Sequence, residues 1–240
     1  MSVDRSPRAD ECPPRVAVAF CPSTPLLLPA VAGRPADDLA GLRSACADAL
    51  VAVLAGGPDV VVVVGSGGAP GVRYGAGDGG TLRGFGVDLD IAFDGRRRPG
   101  GRRIPLAHTL GAWLLDEAGW SGTRLGVHPG DLAAALGGLP APVAVLAVGD
   151  GSARRTLKAP GYLDDAAGPF DASVAAALAA GDADALAGHD AGEGRRLLAD
   201  GVGTWRAVGA ALAGRTVAGR LRYDGAPYGV GYLVADWVAT

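Results

Sequence analysis

The chain has 240 residues, a formal net charge of −3 and a sequence pI of about 5.6. This length suits one α/β domain with a substantial core, and the slightly acidic balance gives no electrostatic reason to expect nucleic acid or an anionic membrane as a partner. No apolar run approaches the roughly 20 residues that a membrane-spanning helix needs, and no secretory signal pattern opens the chain. The three cysteines, Cys12, Cys21 and Cys46, lack metal-type spacing. These features predict a cytoplasmic protein with reduced thiols.

The N-terminal part of the chain predicts a tail, a strand, a helix and a second strand. Residues 1–14 are polar and proline-bearing, which is typical of a disordered tail. The apolar residues 16–20 predict a buried strand, and the following helix is expected to start at a cap formed by Asp37 or Asp38. Five consecutive valines at 60–64 predict a strand that is buried on both faces of a parallel sheet.

The middle of the chain predicts two strands with a helix between them. Residues 87–93 alternate between apolar and mainly acidic side chains, which favours a half-exposed strand that is antiparallel or at a sheet edge. Pro105 is expected to begin a helix, because proline is favoured in the first helical turn. The apolar run at 143–148 predicts another buried strand.

The C-terminal third predicts helices followed by a pair of strands. Helical patterns cover 172–180, 183–187 and 193–212, with glycine-rich breaks between them, and strands are expected at 217–223 and 232–238. The order of elements predicts an α/β domain over residues 15–240, in which helices flank a mixed, largely parallel central sheet.

Small and polar residues follow three of the predicted strands, in the segments Cys21-Pro22-Ser23, Gly65-Ser66-Gly67 and Gly149-Asp150-Gly151-Ser152. Parallel strands would bring these ends to one edge of the sheet, where α/β proteins form their binding crevices. Glycine and serine also suit ordinary turns after strands. The candidate pocket residues, including two basic side chains that could attract an acidic ligand, are Ser23, Ser66, Asp150, Ser152, Arg154 and Lys158.

Three motifs along the chain resemble one family. They are Phe20-Cys21-Pro22-Ser23-Thr24-Pro25, the run from Gly149 to Arg154, and Asp224-Gly225-Ala226-Pro227-Tyr228-Gly229-Val230-Gly231-Tyr232. Their order and spacing are similar to those of the class III extradiol ring-cleavage dioxygenases, which include the catalytic beta subunit of protocatechuate 4,5-dioxygenase and the Memo-like relatives. The resemblance implies a class III extradiol dioxygenase-like fold, of the type found in these catalytic chains.

The resemblance also implies an Fe(II) site whose ligands this sequence lacks. The family's histidines correspond to Ser23, to Gly67 or Gly68, and to Ala153, and its carboxylate corresponds to the region just after Asp200. Extradiol cleavage needs a redox-active iron with open positions, commonly held by two histidines and a carboxylate. We therefore expect an extradiol dioxygenase-like protein without the usual Fe(II) site or another cofactor, which binds an acidic or aromatic small molecule or a protein partner.

An active enzyme stays open as the alternative, since fold does not dictate function. The three histidines, His108, His128 and His189, share no short ligand spacing, and a structural or solvated role is expected for each. A rearranged iron site that cleaves a catechol-type ring would need a ligand set such as His108 with Asp150. A second polypeptide could also complete the site, and the sequence leaves a homo-oligomer open as well.

Overall fold

The computed structural model describes residues 15–140 and 142–240, so the predicted tail at 1–14 lies outside the described residues. The strands are β1 (Val16–Cys21), β2 (Val60–Gly65), β3 (Gly79–Thr81), β4 (Asp90–Ala92), β5 (Thr123–Val127), β6 (Val143–Val148), β7 (Val217–Gly225) and β8 (Tyr232–Ala239). The α-helices are α1 (Pro29–Ala32), α2 (Ala40–Leu54), α3 (Leu106–Glu117), α4 (Leu132–Gly137), α5 (Ala167–Ala180), α6 (Ala183–Gly188), α7 (Ala191–Arg196) and α8 (Val202–Ala211).

The central sheet has six strands in the order β5-β2-β6-β1-β8-β7. The first four are parallel to one another, and the β8 and β7 strands add an antiparallel edge. This is the single α/β fold with a mixed, mostly parallel sheet that the sequence predicts. The strand at 87–93 is shorter than predicted: only Asp90–Ala92 forms a strand, and it pairs with β3 in a separate two-stranded sheet.

Both faces of the sheet are covered by helices, which explains the continuous apolar strands. Alternate residues of β2 enter opposite layers: Val62 and Val64 pack with the layer of α4, α5, α6 and α8, whereas Val61 and Val63 pack with the layer of α2 and α3. No described helix is long and apolar enough to cross a membrane.

Two local predictions about helices are wrong. The α2 helix begins after Leu39, which makes no side-chain cap, so neither Asp37 nor Asp38 caps it; a 3₁₀ turn leads into the helix instead. The predicted helix at 193–212 is divided into α7 and α8 by the turn residues 197–201. Leu198 in this turn has a positive φ of 56°, which an α-helix does not accommodate.

Candidate functional site

A cavity of about 660 Å³ opens at the carboxyl ends of the three parallel strands β1, β2 and β6. Cys21, Gly65 and Val148 are register partners at these ends, so the residues that follow them emerge side by side. Ser23, Ser66 and Asp150, three of the six candidate residues, all line this cavity. The crevice at the strand ends therefore exists, and it brings these three side chains together.

Asp150 is fixed by close backbone packing. The Gly149 N–H donates to the carbonyl oxygen of Cys21 at 3.0 Å, and the Gly201 N–H donates to the carbonyl oxygen of Asp150 at 2.8 Å. A Cβ atom on Gly149 would lie only 2.3 Å from the Gly201 Cα, so glycine permits this approach of two backbones. The backbone N–H of Ser23 donates to the Asp150 Oδ1 at 2.7 Å, which orients the carboxyl group along the cavity wall.

Asp200 is a second carboxylate at the cavity. It is not among the six candidate residues, although the resemblance places the family's carboxylate in the region just after it. Its Oδ2 accepts hydrogen bonds from the Ser66 hydroxyl at 2.8 Å and from the Ser23 hydroxyl at 3.2 Å. Asp200 lies in the turn between α7 and α8, and its position next to Gly201 places it beside Asp150. Asp200 therefore reaches the cavity because the turn at residues 197–201 interrupts the predicted helix.

The two carboxyl groups influence each other. Asp150 is half-buried, and burial raises its pKa to about 7; the Ser23 N–H opposes this rise, and the negative charge of Asp200 adds to it. A carboxyl group with such a pKa exchanges its proton near neutral pH. Tyr232 lies on the same wall, and burial together with the nearby Asp150 charge raises its phenol pKa. The polar end of the cavity thus places Asp200 beside a carboxyl group, that of Asp150, which titrates near neutrality.

The rest of the cavity wall is mostly apolar. It is formed by the segment after β1, by α1, by the start of α3, and by the connections between β3 and β4, between β6 and α5, and between β7 and β8. The apolar lining residues are Pro25, Leu26, Val31, Phe85, Pro105, Leu106, Ala107, Pro160 and Val230. Apolar walls with a few convergent polar groups are typical of small-molecule sites.

The other three candidate residues do not line this cavity. Ser152 is fully buried, and its hydroxyl donates to the Leu197 carbonyl oxygen at 2.7 Å, so it supports the loop rather than the cavity. Arg154 lies beside Gly161, and Lys158 lies on a separate surface pocket with Arg155. The expected positive charge is therefore not at the cavity, where the charged lining residues are both aspartates.

The residues at the cavity do not fit the iron site that the resemblance implies. Ser23 and Gly67, two of the positions that correspond to histidines, line the wall, whereas Ala153 does not. The described lining residues supply carboxylate and hydroxyl oxygens but no imidazole. In the described part of the chain, no group of three or more histidine, cysteine, aspartate or glutamate side chains is arranged to hold a metal ion.

His108, the residue proposed for a rearranged ligand set, does not line the cavity. Its ring is fully buried, stacks edge-on to Tyr74 at a centroid distance of 5.1 Å, and contacts the Val127 carbonyl oxygen through Nε2 at 3.0 Å. Burial lowers its pKa to about 4, so the ring is neutral at physiological pH. His128 accepts a hydrogen bond from the Gly130 N–H, and His189 contacts Ser173, so both have structural roles.

Compared with models of known protein families and with curated protein sequences, the chain matches none of them.

Proposed function

We propose that this protein is a class III extradiol dioxygenase-like scaffold without the usual Fe(II) site, which binds a small organic molecule in the cavity at the strand ends. The observation that carries the proposal is the position of the cavity: it lies where β1, β2 and β6 end, and it holds Asp150, Asp200, Ser23 and Ser66 against a largely apolar wall. Open α/β sheets bind ligands in this location.

The volume of the cavity supports a small-molecule ligand. About 660 Å³ falls inside the range of roughly 300–1,000 Å³ that is usual for such sites. The hydrogen bonds among Ser23, Ser66 and Asp200 hold the polar groups in place before any ligand arrives. A preformed site of this kind limits the ordering cost of binding.

A neutral fluorescent probe tests whether the cavity binds ligands. We expect N-phenyl-1-naphthylamine to bind to the purified protein with a blue shift, and the Val31→Trp variant, which fills the cavity from α1, to weaken binding by at least about tenfold. Ala172→Trp is the control, because Ala172 is exposed on α5 and does not line this cavity. Equal binding by both variants would refute the proposal, provided that both melt cooperatively.

Reconstitution with Fe(II) tests the part of the proposal that states that the usual Fe(II) site is missing. After anaerobic incubation with Fe(II) and removal of free metal, we expect negligible iron per chain, because the lining offers no imidazole ligand. Near-stoichiometric iron would instead favour an active dioxygenase with a rearranged ligand set, whereas copurification with a second polypeptide would favour a site that a partner chain completes. If iron binds, loss of catechol-ring cleavage in the His108→Ala variant would support a ligand set that contains His108, and unaltered cleavage would exclude that set.

A further inference from the structure

Three hydroxyl groups at the polar end of the cavity, those of Ser23, Ser66 and Tyr232, donate their hydrogen atoms to acceptors within the protein. Ser23 and Ser66 both donate to the Asp200 Oδ2, at 3.2 and 2.8 Å, and the Tyr232 hydroxyl donates to the Thr24 Oγ1 at 3.2 Å. A hydroxyl group has one hydrogen to donate and keeps lone pairs that can accept. These groups therefore face a ligand mainly as acceptors.

The charge of the cavity also favours a ligand that donates hydrogen bonds. Asp150 and Asp200 both line it, and no lysine, arginine or histidine is among the described lining residues. The carboxyl group of Asp150 accepts a hydrogen bond from the Ser23 N–H at 2.7 Å through Oδ1. An anionic ligand would meet two carboxylates without a compensating cation, whereas a cation would neutralise them.

The apolar wall indicates that the cation belongs to an organic molecule. Leu26, Val31, Phe85, Leu106 and Val230 surround the polar end, and a metal ion alone would leave this surface uncovered. An apolar or aromatic body would remove it from water, which stabilises binding by roughly 25 cal/mol per Å² of buried apolar surface.

We propose that the cavity selects a protonated amine on an aromatic or aliphatic body, with the ammonium group between Asp150 and Asp200 and the body against the apolar wall. This inference rests on the proposed function and adds the chemical class of its ligand. An ammonium group supplies three donors and a positive charge, which complement a wall of acceptors and carboxylates.

Three probes with the same indole body separate charge from shape: tryptamine, tryptophol and indole-3-propionate. Calorimetric titrations near pH 7.5 with EDTA present are expected to show tryptamine binding at least about tenfold more tightly than tryptophol, and indole-3-propionate binding most weakly. The Asp200→Asn variant should weaken tryptamine by about tenfold or more while changing tryptophol by less than about threefold. Asp165→Asn, which removes an exposed carboxylate outside the cavity, should leave the order of affinities unchanged.

The outcomes distinguish this inference from the proposed function. Equal affinities for the three probes, with all of them lost in Val31→Trp, would overturn the inference and leave the cavity as a small-molecule site. Absence of binding by every probe, including N-phenyl-1-naphthylamine, would overturn both. Thermal stabilisation by Mg²⁺ alone, in EDTA-free buffer, that matches stabilisation by tryptamine would show that the carboxylates hold a metal and would also overturn the inference.

Discussion

Replacing Asp150 with asparagine should stabilise the protein at neutral and alkaline pH, although the residue lies in the candidate site. Asparagine keeps an oxygen that can accept from the Ser23 N–H, and it removes a charge that burial and Asp200 disfavour. The folded state raises the pKa of Asp150 from 3.8 to about 7, so it binds this proton more tightly than the unfolded chain does. Stability from this group is therefore full below about pH 4 and is lost as pH rises toward 7.

The magnitude follows from the size of the pKa change. Each tenfold change in proton affinity is worth about 1.4 kcal/mol, so ionisation of Asp150 costs the folded state up to about 4 kcal/mol by pH 8. Partial exposure of the carboxyl group to solvent reduces this figure, because Asp150 is only half-buried. We expect Asp150→Asn to match the wild type near pH 4 and to exceed it in free energy of unfolding by about 2–4 kcal/mol near pH 8.

Urea denaturation at several pH values measures this difference. The wild-type profile alone is not diagnostic, since His108 has a lowered pKa and its contribution changes with pH in the opposite direction. The control is Asp165→Asn, where loss of an exposed carboxylate should change stability by less than about 0.5 kcal/mol at every pH. A difference between Asp150→Asn and wild type that stays constant from about pH 4 to pH 8 would refute the assigned environment of Asp150.

Other substitutions probe the supports of the site. Asp171→Ala should lower the free energy of unfolding by about 3–5 kcal/mol in urea denaturation, because it removes the carboxylate that pairs with Arg155 at 2.8 Å. A loss below about 1 kcal/mol would contradict this. Gly149→Ala should lower the melting temperature, because the added Cβ would collide with Gly201. Gly203→Ala on α8, whose Cβ meets nothing within 4 Å, should raise the free energy of unfolding by about 0.5–1 kcal/mol. Effects of the same sign in both variants would disprove the close-packing explanation. The wild type should exceed His108→Gln in free energy of unfolding by about 2 kcal/mol less at pH 5 than at pH 7, because the buried ring binds a proton more weakly than the same ring in the unfolded chain. A difference that stays constant with pH would contradict the burial of His108.

Local apolar patterns in the sequence were sufficient to predict most of the central sheet. The strands at residues 16–20, 60–64 and 143–148 were predicted within one residue at each end, because a strand covered on both faces must be apolar throughout. By contrast, the short β5 strand at Thr123–Val127 was not predicted, since Arg124 interrupts its apolar pattern. That arginine is buried because it bonds to the carbonyl oxygens of Ala112 and Trp120, and such partners exist only in the folded chain.

The polar residues that follow the apolar runs also indicate which strand ends form a site, and Ser23, Ser66 and Asp150 do meet at one cavity. The other features of the site depend on contacts between distant parts of the chain. Ser152 turns into the interior toward Leu197, and Asp200, separated from Ser66 by 134 positions in the chain, completes the polar wall. Chain periodicity reports which residues are apolar, but the meeting of distant turns depends on the backbone contact between Gly149 and Gly201, which no local pattern encodes.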